Sequence, residues 1–301
     1  MTIPDGAAPA DPPANRAKEG SEERPKERSE ERAEERLAER APERPPERLA
    51  FGVGAAQRAI AFRRTAARDG RRPGLVWLGG FKSDMAGAKA LALEGYAQDT
   101  GRAFVRFDYS GHGESGGAFC EGTIGRWLDE SLAVLRTLTA GPQVLVGSSM
   151  GGWIALLMAR ALAAAGETAR LGGMALIAPA VDFTEELMWP RLSAAARDAL
   201  ETDGLWLSPS AYGPEPTPLT RALFEDGRRH LLFPDGAIRS YGPTHIVQGM
   251  EDPDVPWRHA LRLVEHMPAD PVALTLVKDG DHRLSRPQDL TRLIAAVDQL
   301  A

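Results

Sequence analysis

The sequence of 301 residues contains a single cysteine, Cys120, so an intrachain disulfide is excluded. It has no apolar run of the roughly 20 residues that a membrane-spanning helix needs. The most apolar candidate helix, near residues 150–165, is interrupted by Arg160. The formal net charge of −6 gives no excess of Lys and Arg, which disfavours a nucleic-acid partner. A chain of this length forms one large domain or two small ones.

Residues 1–48 lack Val, Phe, Tyr, Trp and Cys, and they hold eight of the 23 prolines. Such a segment buries too little apolar surface to offset the entropy of ordering, so we expect a disordered, charged, low-complexity arm. The dipeptide Glu-Arg recurs in it every four residues, and prolines confine any helix to about residues 26–41. An interaction arm is the alternative. The segment has no apolar signal stretch and is too acidic for a mitochondrial presequence, so we expect a cytoplasmic protein.

From residue 49 to 301 apolar strand-like runs alternate with helical patterns. Alternation of this kind predicts an α/β fold with a mostly parallel sheet and helices on both faces. The predicted strands are 74–80, 103–109, 143–148, 173–180, 245–250 and 272–277, with 58–64 as an edge strand. The predicted helices are 84–99, 125–139, 150–165, 257–267 and 286–300, the last with a capping box of Ser285 and Gln288. Working sites in such sheets lie at the carboxyl ends of the strands.

The strand 143–148 runs into Gly147-Ser148-Ser149-Met150-Gly151, which fits the pattern G-x-S-x-G with Ser149 as nucleophile. A strand that turns abruptly into a helix leaves no room for side chains at the two glycines. The turn predicts an exposed Ser149 hydroxyl, and it places the Met150 N–H at a helix N-terminus, where it suits a developing oxyanion. A merely structural turn is the alternative, and it is the reading we adopt for Ser148.

A serine hydroxyl needs a base, and His282 follows the last predicted strand. The base in turn needs a carboxylate to fix its tautomer. Asp252 follows the strand 245–250 and is our candidate, with Asp254 and Asp182 as rivals. The resulting order Ser, Asp, His along the chain is that of α/β hydrolases.

The second oxyanion donor is expected in the loop after strand 74–80, at the N–H of Phe81, because Gly80 lets the backbone approach the substrate. Other polar residues have plainer interpretations. We expect Asp108, His112 and Ser115 to build the turn of "RFDYSGHGES", and Cys120 to be an ordinary loop residue.

Six segments together resemble one branch of the α/β-hydrolase superfamily: "GGFKSDMAGAKA", "RFDYSGHGESGG", "GTIGRW", "GPQVLVGSSMGGW", "GMEDPDVPW" and "DGDHRL". This branch comprises bacterial serine hydrolases similar to the mitochondrial palmitoyl-protein thioesterase, also known as an acyl-glucuronide esterase. The resemblance covers roughly residues 58–300 and implies hydrolysis of acyl thioesters or esters without a cofactor or metal. It assigns nucleophile, acid and base to Ser149, Asp252 and His282. Gln248 is a departure, because relatives commonly have His there.

The stretch of about residues 181–240 predicts a small helical cap over the site. Met188, Trp189, Leu205 and Trp206 are candidates for an acyl pocket, which would be apolar, and packing of the cap on the core is the alternative. We therefore expect a serine hydrolase acting on a small-molecule or acyl-protein substrate. Two alternatives stay open, namely a non-catalytic binding module of the same fold, or a lyase or perhydrolase that keeps the serine.

Overall fold

The computed structural model describes residues 45–52, 57–68, 70–209 and 215–300. By internal contacts the chain divides into Met1–Arg44 and Pro45–Ala301, and the description concerns the second unit. The predicted arm, including the possible helix at 26–41, therefore lies outside the described residues apart from its last few positions.

The core of the described chain is an eight-stranded sheet with the order β1-β2-β4-β3-β5-β6-β9-β10. β1 and β2 pair antiparallel, as do β2 and β4, and the remaining neighbours are parallel. The strands are β1 (Glu47–Phe51), β2 (Arg58–Thr65), β3 (Gly74–Leu78), β4 (Phe104–Phe107), β5 (Gln143–Ser148), β6 (Leu171–Ile177), β7 (Leu205–Ser208), β8 (Thr217–Thr220), β9 (Thr244–Gly249) and β10 (Val272–Val277). β7 and β8 form a separate antiparallel pair.

Helices cover both faces of this sheet, as the alternating pattern predicts. The α-helices of the described residues are α1 (Ala88–Thr100), α2 (Ile124–Leu138), α3 (Met150–Ala164), α4 (Ala194–Thr202), α5 (Arg221–Gly227), α6 (Trp257–Glu265) and α7 (Pro287–Asp298), of which α4 and α5 lie in the segment between β6 and β9. Alternate residues of β3 point to opposite faces. Val76 and Leu78 pack in the cluster that contains α2 and α3, whereas Leu75 and Trp77 pack with α1 and α7. Burial on both faces explains the continuous apolar runs of these strands.

The edge of the sheet differs from the sequence prediction. The run 58–64 is expected at the edge, but β2 lies between β1 and β4, and the edge strands are β1 and β10. β1 starts at Glu47, two residues inside the segment assigned to the arm. Its charged residues are exposed, while Leu49 and Phe51 pack against the core. A half-exposed edge strand carries few apolar residues, so its pattern was hidden in the charged repeat.

The start of α7 also differs. The expected capping box of Ser285 and Gln288 is wrong, because the helix begins one residue later, with Arg286 as the N-cap. The Asp289 carboxylate accepts hydrogen bonds from the Arg286 backbone N–H at 3.3 Å and from its Nε at 2.7 Å. Pro287 takes the first helical position, where its fixed φ suits a helix and its missing N–H costs nothing.

The segment between β6 and β9 contains the region expected to form a cap. It begins with a π-helical turn at Thr184–Met188 and a 3₁₀ turn at Trp189–Arg191, followed by α4, the β7–β8 pair and α5. The antiparallel pair was not expected from the sequence. The cap contacts the loop after β3, because Lys82 Nζ donates to the Pro216 carbonyl at 3.2 Å and lies 3.3 Å from Thr217 Oγ1.

Candidate active site

The turn between β5 and α3 places Ser149 in a backbone conformation that few non-glycine residues adopt, with φ 55° and ψ −119°. Its N–H donates to the Ile177 carbonyl at 2.8 Å, which ties the turn to β6. A Cβ on Gly147 would lie 2.4 Å from the Gly151 carbonyl oxygen, and one on Gly151 would lie 2.0 Å from that of Leu78. Both glycines are therefore required by close backbone approach, as the pentapeptide predicts.

Three side chains from separate strand ends meet at this turn. Ser149 Oγ lies 3.1 Å from His282 Nε2, and His282 Nδ1 lies 2.8 Å from Asp252 Oδ2. The Asp252 side chain has no exposed surface, while that of His282 is 17% exposed. An ionised Asp252 can only accept hydrogen bonds, so Nδ1 carries the imidazole proton and Nε2 offers its lone pair to the serine hydroxyl. This arrangement can remove a proton from Ser149.

The Asp252 carboxylate is fixed by three further donors. Its Oδ1 accepts the backbone N–H groups of Asp254 and Val255, each at 2.8 Å. Its Oδ2 accepts Gln248 Nε2 at 3.1 Å. The sequence reasoning gave Gln248 no part in the site, although a polar residue ending an apolar strand is a signal for such a buried contact. The donors stabilise the charged carboxylate and hold the oxygen that faces His282.

The two rival acids have other partners. Asp182 is fully buried, and its carboxylate accepts the backbone N–H groups of Leu232 and Phe233 at 2.9–3.0 Å. Burial raises the pKa of Asp182 to about 6. Asp254 lies beside Asp252 and His282, but the hydrogen bond from His282 Nδ1 goes to Asp252. The geometry therefore favours Asp252 over both rivals.

The loops that carry His282 and Asp252 are packed on one another. Glu251 N–H donates to the Gly280 carbonyl at 2.9 Å, and a Cβ on Gly249 would lie 2.3 Å from that same oxygen. Lys89 of α1 reaches this region and donates to the Arg283 carbonyl and, at 3.3 Å, to Ser285 Oγ. Burial lowers the pKa of Lys89 to about 8. Backbone contacts thus hold the loops of Asp252 and His282 against each other.

The expected oxyanion loop lies against the nucleophile. A Cβ on Gly80 would lie 3.5 Å from the Cβ of Ser149, which confirms how closely the loop approaches. The Phe81 ring packs on Phe119 and Phe183 with centroids 5.1 and 5.7 Å apart. Met150 is buried at the first position of α3. The backbone N–H of Met150 lies at the start of α3, directly after Ser149. That of Phe81 lies in the loop after β3, which packs against Ser149.

Most of the expected acyl-pocket residues share one cluster. Met188, Trp189 and Trp206 pack with Phe81 against the cap core of Leu200, Leu219 and Phe224. Leu205 does not belong to it and is 40% exposed. Successive residues of a strand point to opposite sides, so β7 turns Trp206 inward and Leu205 outward. Leu205 therefore does not line the candidate pocket.

The turn after β4 has the structural character expected of it. Asp108 accepts the backbone N–H groups of Met85 and Glu114 at 2.7 and 2.8 Å, and Ser115 Oγ donates to the Asp108 carbonyl at 2.6 Å. His112 is buried in the same turn, and its Nε2 accepts the Lys82 N–H at 3.1 Å. The sequence reasoning missed this link from the turn to the oxyanion loop.

Two further features of the structure concern membrane-spanning helices and metal binding. Within the described part of the chain, no helix has the length and apolar character that crossing a bilayer requires. Among the same residues, the donor atoms of Asp252, Asp254 and His282 lie within 4.8 Å of one another, a spacing that an ion could use. The hydrogen bonds described above satisfy the Asp252 oxygens with protein donors, which fits proton transfer better than metal binding.

A parallel sheet with a serine at the β5–α3 turn, and an imidazole and a carboxylate at later strand ends, defines an α/β hydrolase. A family model described as "Alpha/beta hydrolase family" matches residues 73–293, and the chain belongs to this family. The resemblance and the fold class expected from the sequence are therefore confirmed, and the chain is a hydrolase.

Particular relatives are more informative. The chain is 34% identical over 242 residues to mitochondrial palmitoyl-protein thioesterase ABHD10 of Mus musculus, covering 80% of this chain and 78% of that protein. The human protein of the same name is 33% identical over 231 residues, with coverages of 77% and 74%. Among solved structures, a protein from Agrobacterium vitis S4 is 51% identical with a TM-score of 0.81, covering 85% of this chain and 99% of its own. Mouse alpha/beta hydrolase domain-containing protein 10 is 31% identical with a TM-score of 0.72, and the coverages are 84% and 98%.

Proposed function

We propose that the chain hydrolyses acyl thioesters or esters through Ser149, His282 and Asp252. The observation that carries the proposal is the continuous hydrogen-bonded path from Ser149 Oγ through the imidazole to a buried carboxylate, with distances of 3.1 and 2.8 Å. A path of this kind activates a hydroxyl that is otherwise a weak nucleophile.

In the first half of the reaction Ser149 Oγ attacks the acyl carbonyl carbon, and His282 Nε2 takes the hydroxyl proton. Asp252 stabilises the imidazolium that forms. The N–H groups of Met150 and Phe81 hold the negative oxygen of the tetrahedral intermediate. Collapse of the intermediate breaks the bond to the thiol or alcohol, which leaves with the proton from His282. In the second half, water attacks the acyl-serine while His282 takes its proton. His282 then returns the proton to Ser149 Oγ as the bond to the acyl group breaks and the carboxylic acid departs.

Two observations support an acyl substrate. The curated relatives from mouse and human are called palmitoyl-protein thioesterases, which act on thioesters by name. The cluster of Met188, Trp189 and Trp206 beside Phe81 is largely apolar, as an acyl site requires. We propose small-molecule or protein-bound acyl groups as substrates.

The sequence composition of residues 1–48 supports a cytoplasmic location, although the relatives are named mitochondrial. Cell fractionation of the tagged full chain tests this location.

Labelling with a fluorophosphonate probe tests the nucleophile, and the adjacent serine provides a matched control. We expect the wild type and Ser148→Ala to be labelled and Ser149→Ala to remain unlabelled. Hydrolysis of a panel of acyl thioesters and esters should follow the same order. Labelling that survives Ser149→Ala would overturn the assignment, and a wild type with neither labelling nor hydrolysis would favour the binding module of the same fold.

A further inference from the structure

The oxyanion loop is held from behind by polar contacts that the triad does not explain. The Gly80 carbonyl accepts two donors from Ser83, the backbone N–H at 3.2 Å and Oγ at 2.8 Å. A trans peptide unit is planar, and its carbonyl and N–H point in opposite directions. Fixing the Gly80 carbonyl therefore also fixes the direction of the Phe81 N–H.

The next peptide unit is fixed by a different residue. The Lys82 N–H donates to His112 Nε2 at 3.1 Å. With the units on both sides of Phe81 held, the backbone at Phe81 has little freedom to rotate. Lys82 itself has a φ of 57°, a left-handed conformation that costs a non-glycine residue energy and persists only when its surroundings impose it.

The side chain of His112 is suited to act as a permanent acceptor. It is 4% exposed, and its ring centroid lies 5.1–5.6 Å from those of Tyr109, Phe119 and Trp127. Nδ1 lies 3.3 Å from the Ser110 carbonyl, an acceptor, so the single proton of the neutral ring is on Nδ1 and Nε2 carries a lone pair. Burial lowers the pKa of His112 to about 4, which keeps the ring neutral near pH 7.

We propose that His112 and Ser83 are positioning residues that orient the Phe81 N–H toward the oxyanion before substrate binds. The inference rests on the function proposed above. A donor that is already oriented needs no reorganisation during the reaction, and this preorganisation is the main source of oxyanion-hole stabilisation. His112 thus belongs to the catalytic apparatus through the loop that it holds, and not only to the turn after β4.

Steady-state kinetics on a soluble acyl thioester tests the proposal with paired variants at each residue. His112→Leu removes the acceptor, whereas His112→Gln keeps an acceptor oxygen near the position of Nε2. Ser83→Ala removes a donor at an exposed position where folding is not at risk, and Ser83→Thr keeps it. We expect kcat to fall roughly 10- to 100-fold in His112→Leu and several-fold in Ser83→Ala, because a misdirected donor loses part of what a deleted one loses. KM should change less than about twofold, and both conservative variants should recover most of kcat.

A trifluoromethyl ketone that forms a tetrahedral adduct with the serine supplies a second measurement. Its affinity should fall by about the same factor as kcat/KM, since both report binding of the oxyanion. Full activity in both Ser83→Ala and His112→Leu, or a His112→Gln variant as slow as His112→Leu, would overturn the proposal. Ser149→Ala in the same assay separates the two claims: if it is as active as the wild type the proposed function fails, and if it is inactive while the loop variants are normal only the positioning role fails.

Discussion

The Asp252 carboxylate accepts four hydrogen bonds, two on each oxygen. The donors are the N–H groups of Asp254 and Val255, the Gln248 amide and His282 Nδ1. Three of these four come from the short stretch between the end of β9 and Val255, so local backbone geometry aims the carboxylate before the histidine loop packs on it. The position of the Asp252 carboxylate is therefore set mainly by the end of β9 and the turn that follows it.

Asp252→Asn should preserve the shape of the site and remove most of its activity. The amide can donate to Nδ1, which favours the tautomer with its proton on Nε2, and that nitrogen then cannot accept the Ser149 proton. We expect kcat to fall about 10³- to 10⁴-fold, with a moderate fall in thermal midpoint because the amide nitrogen that faces His282 also faces the Gln248 Nε2 donor. Asp254→Asn is the matched control and should stay within about threefold of the wild type. A larger loss in the control than in Asp252→Asn would exchange the roles of the two residues.

His112 should make stability depend on pH. Its pKa is lowered by burial to about 4 from an ordinary 6.5, so between these values the unfolded state binds more protons. The contribution of His112 to the free energy of unfolding is therefore complete above pH 6.5 and is lost as the pH falls toward 4, by on the order of 3 kcal/mol. Urea unfolding at pH 7.5 and 4.5 measures this change. The His112→Gln variant should lack that part of the slope, and an identical slope in the two proteins would contradict it.

Some residues of the candidate site can be predicted from the sequence, and others cannot. Ser149, Asp252 and His282 were selected because each follows a strand, and the strand ends are close in space, as the fold class dictates. Gln248 and the contact of His112 with Lys82 were missed. The first depends on where a side chain at the end of a buried strand points, and the second joins residues that are far apart in the sequence. Spacing along the chain predicts neither.

At the scale of elements, the β5–α3 turn is the tightest backbone packing near the site. The helix starts directly after the strand, and its first turn lies against the end of β3, so that Gly151 faces the Leu78 carbonyl. This contact places Ser149 beside the loop that follows β3. Strand β5, helix α3 and the loop after β3 therefore form one packed unit, and they can lie this close because glycines leave no side chains between them.

Gly151→Ala should disrupt that unit. The added Cβ would lie 2.0 Å from the Leu78 carbonyl oxygen, which is backbone and cannot rotate away. We expect a loss of at least about 3 kcal/mol in urea unfolding, or failure to fold. Gly95→Ala in α1 is the control, because a Cβ there meets nothing within 4 Å. It should raise stability by about 0.5–1 kcal/mol. A Gly151→Ala protein as stable as the wild type would mean that α3 can shift without cost.

The elements themselves were predicted unevenly, for physical reasons. β5 has the predicted bounds, because a buried strand is a continuous apolar run. β10 also has the predicted bounds although it is a half-exposed edge strand, because its apolar run is broken only by Thr275. β1 and the β7–β8 pair were not predicted. They are partly exposed, and their patterns of alternate apolar residues are short and interrupted by charge or proline. The sequence therefore predicts the longer apolar strands of this sheet, including the edge strand β10, better than short strands interrupted by charge or proline.

For the whole molecule, the match to the family begins at residue 73, after β1 and β2. These two strands extend the sheet beyond β4, on the side away from β5, β9 and β10, whose carboxyl ends lead to Ser149, Asp252 and His282. Strand β10, at the other edge, leads to His282, but the edge at β1 is remote from the site in strand order. Its contribution is expected in stability, and the charged segment before it is expected to contribute to neither stability nor catalysis.

Two truncations separate these contributions. Removal of residues 1–44 keeps β1 and should leave kcat/KM within about twofold and the thermal midpoint within about 2 °C of the full chain. Removal of residues 1–52 also deletes β1. It exposes the β2 backbone and removes Leu49 and Phe51 from the core, together with the contact of Arg58 on the Phe51 ring at 5.2 Å. A loss of about 2–3 kcal/mol would lower the midpoint by roughly 5–10 °C, while kcat at low temperature should persist. If removal of residues 1–44 alone abolishes turnover, the charged segment takes part in the reaction or in folding, contrary to its composition.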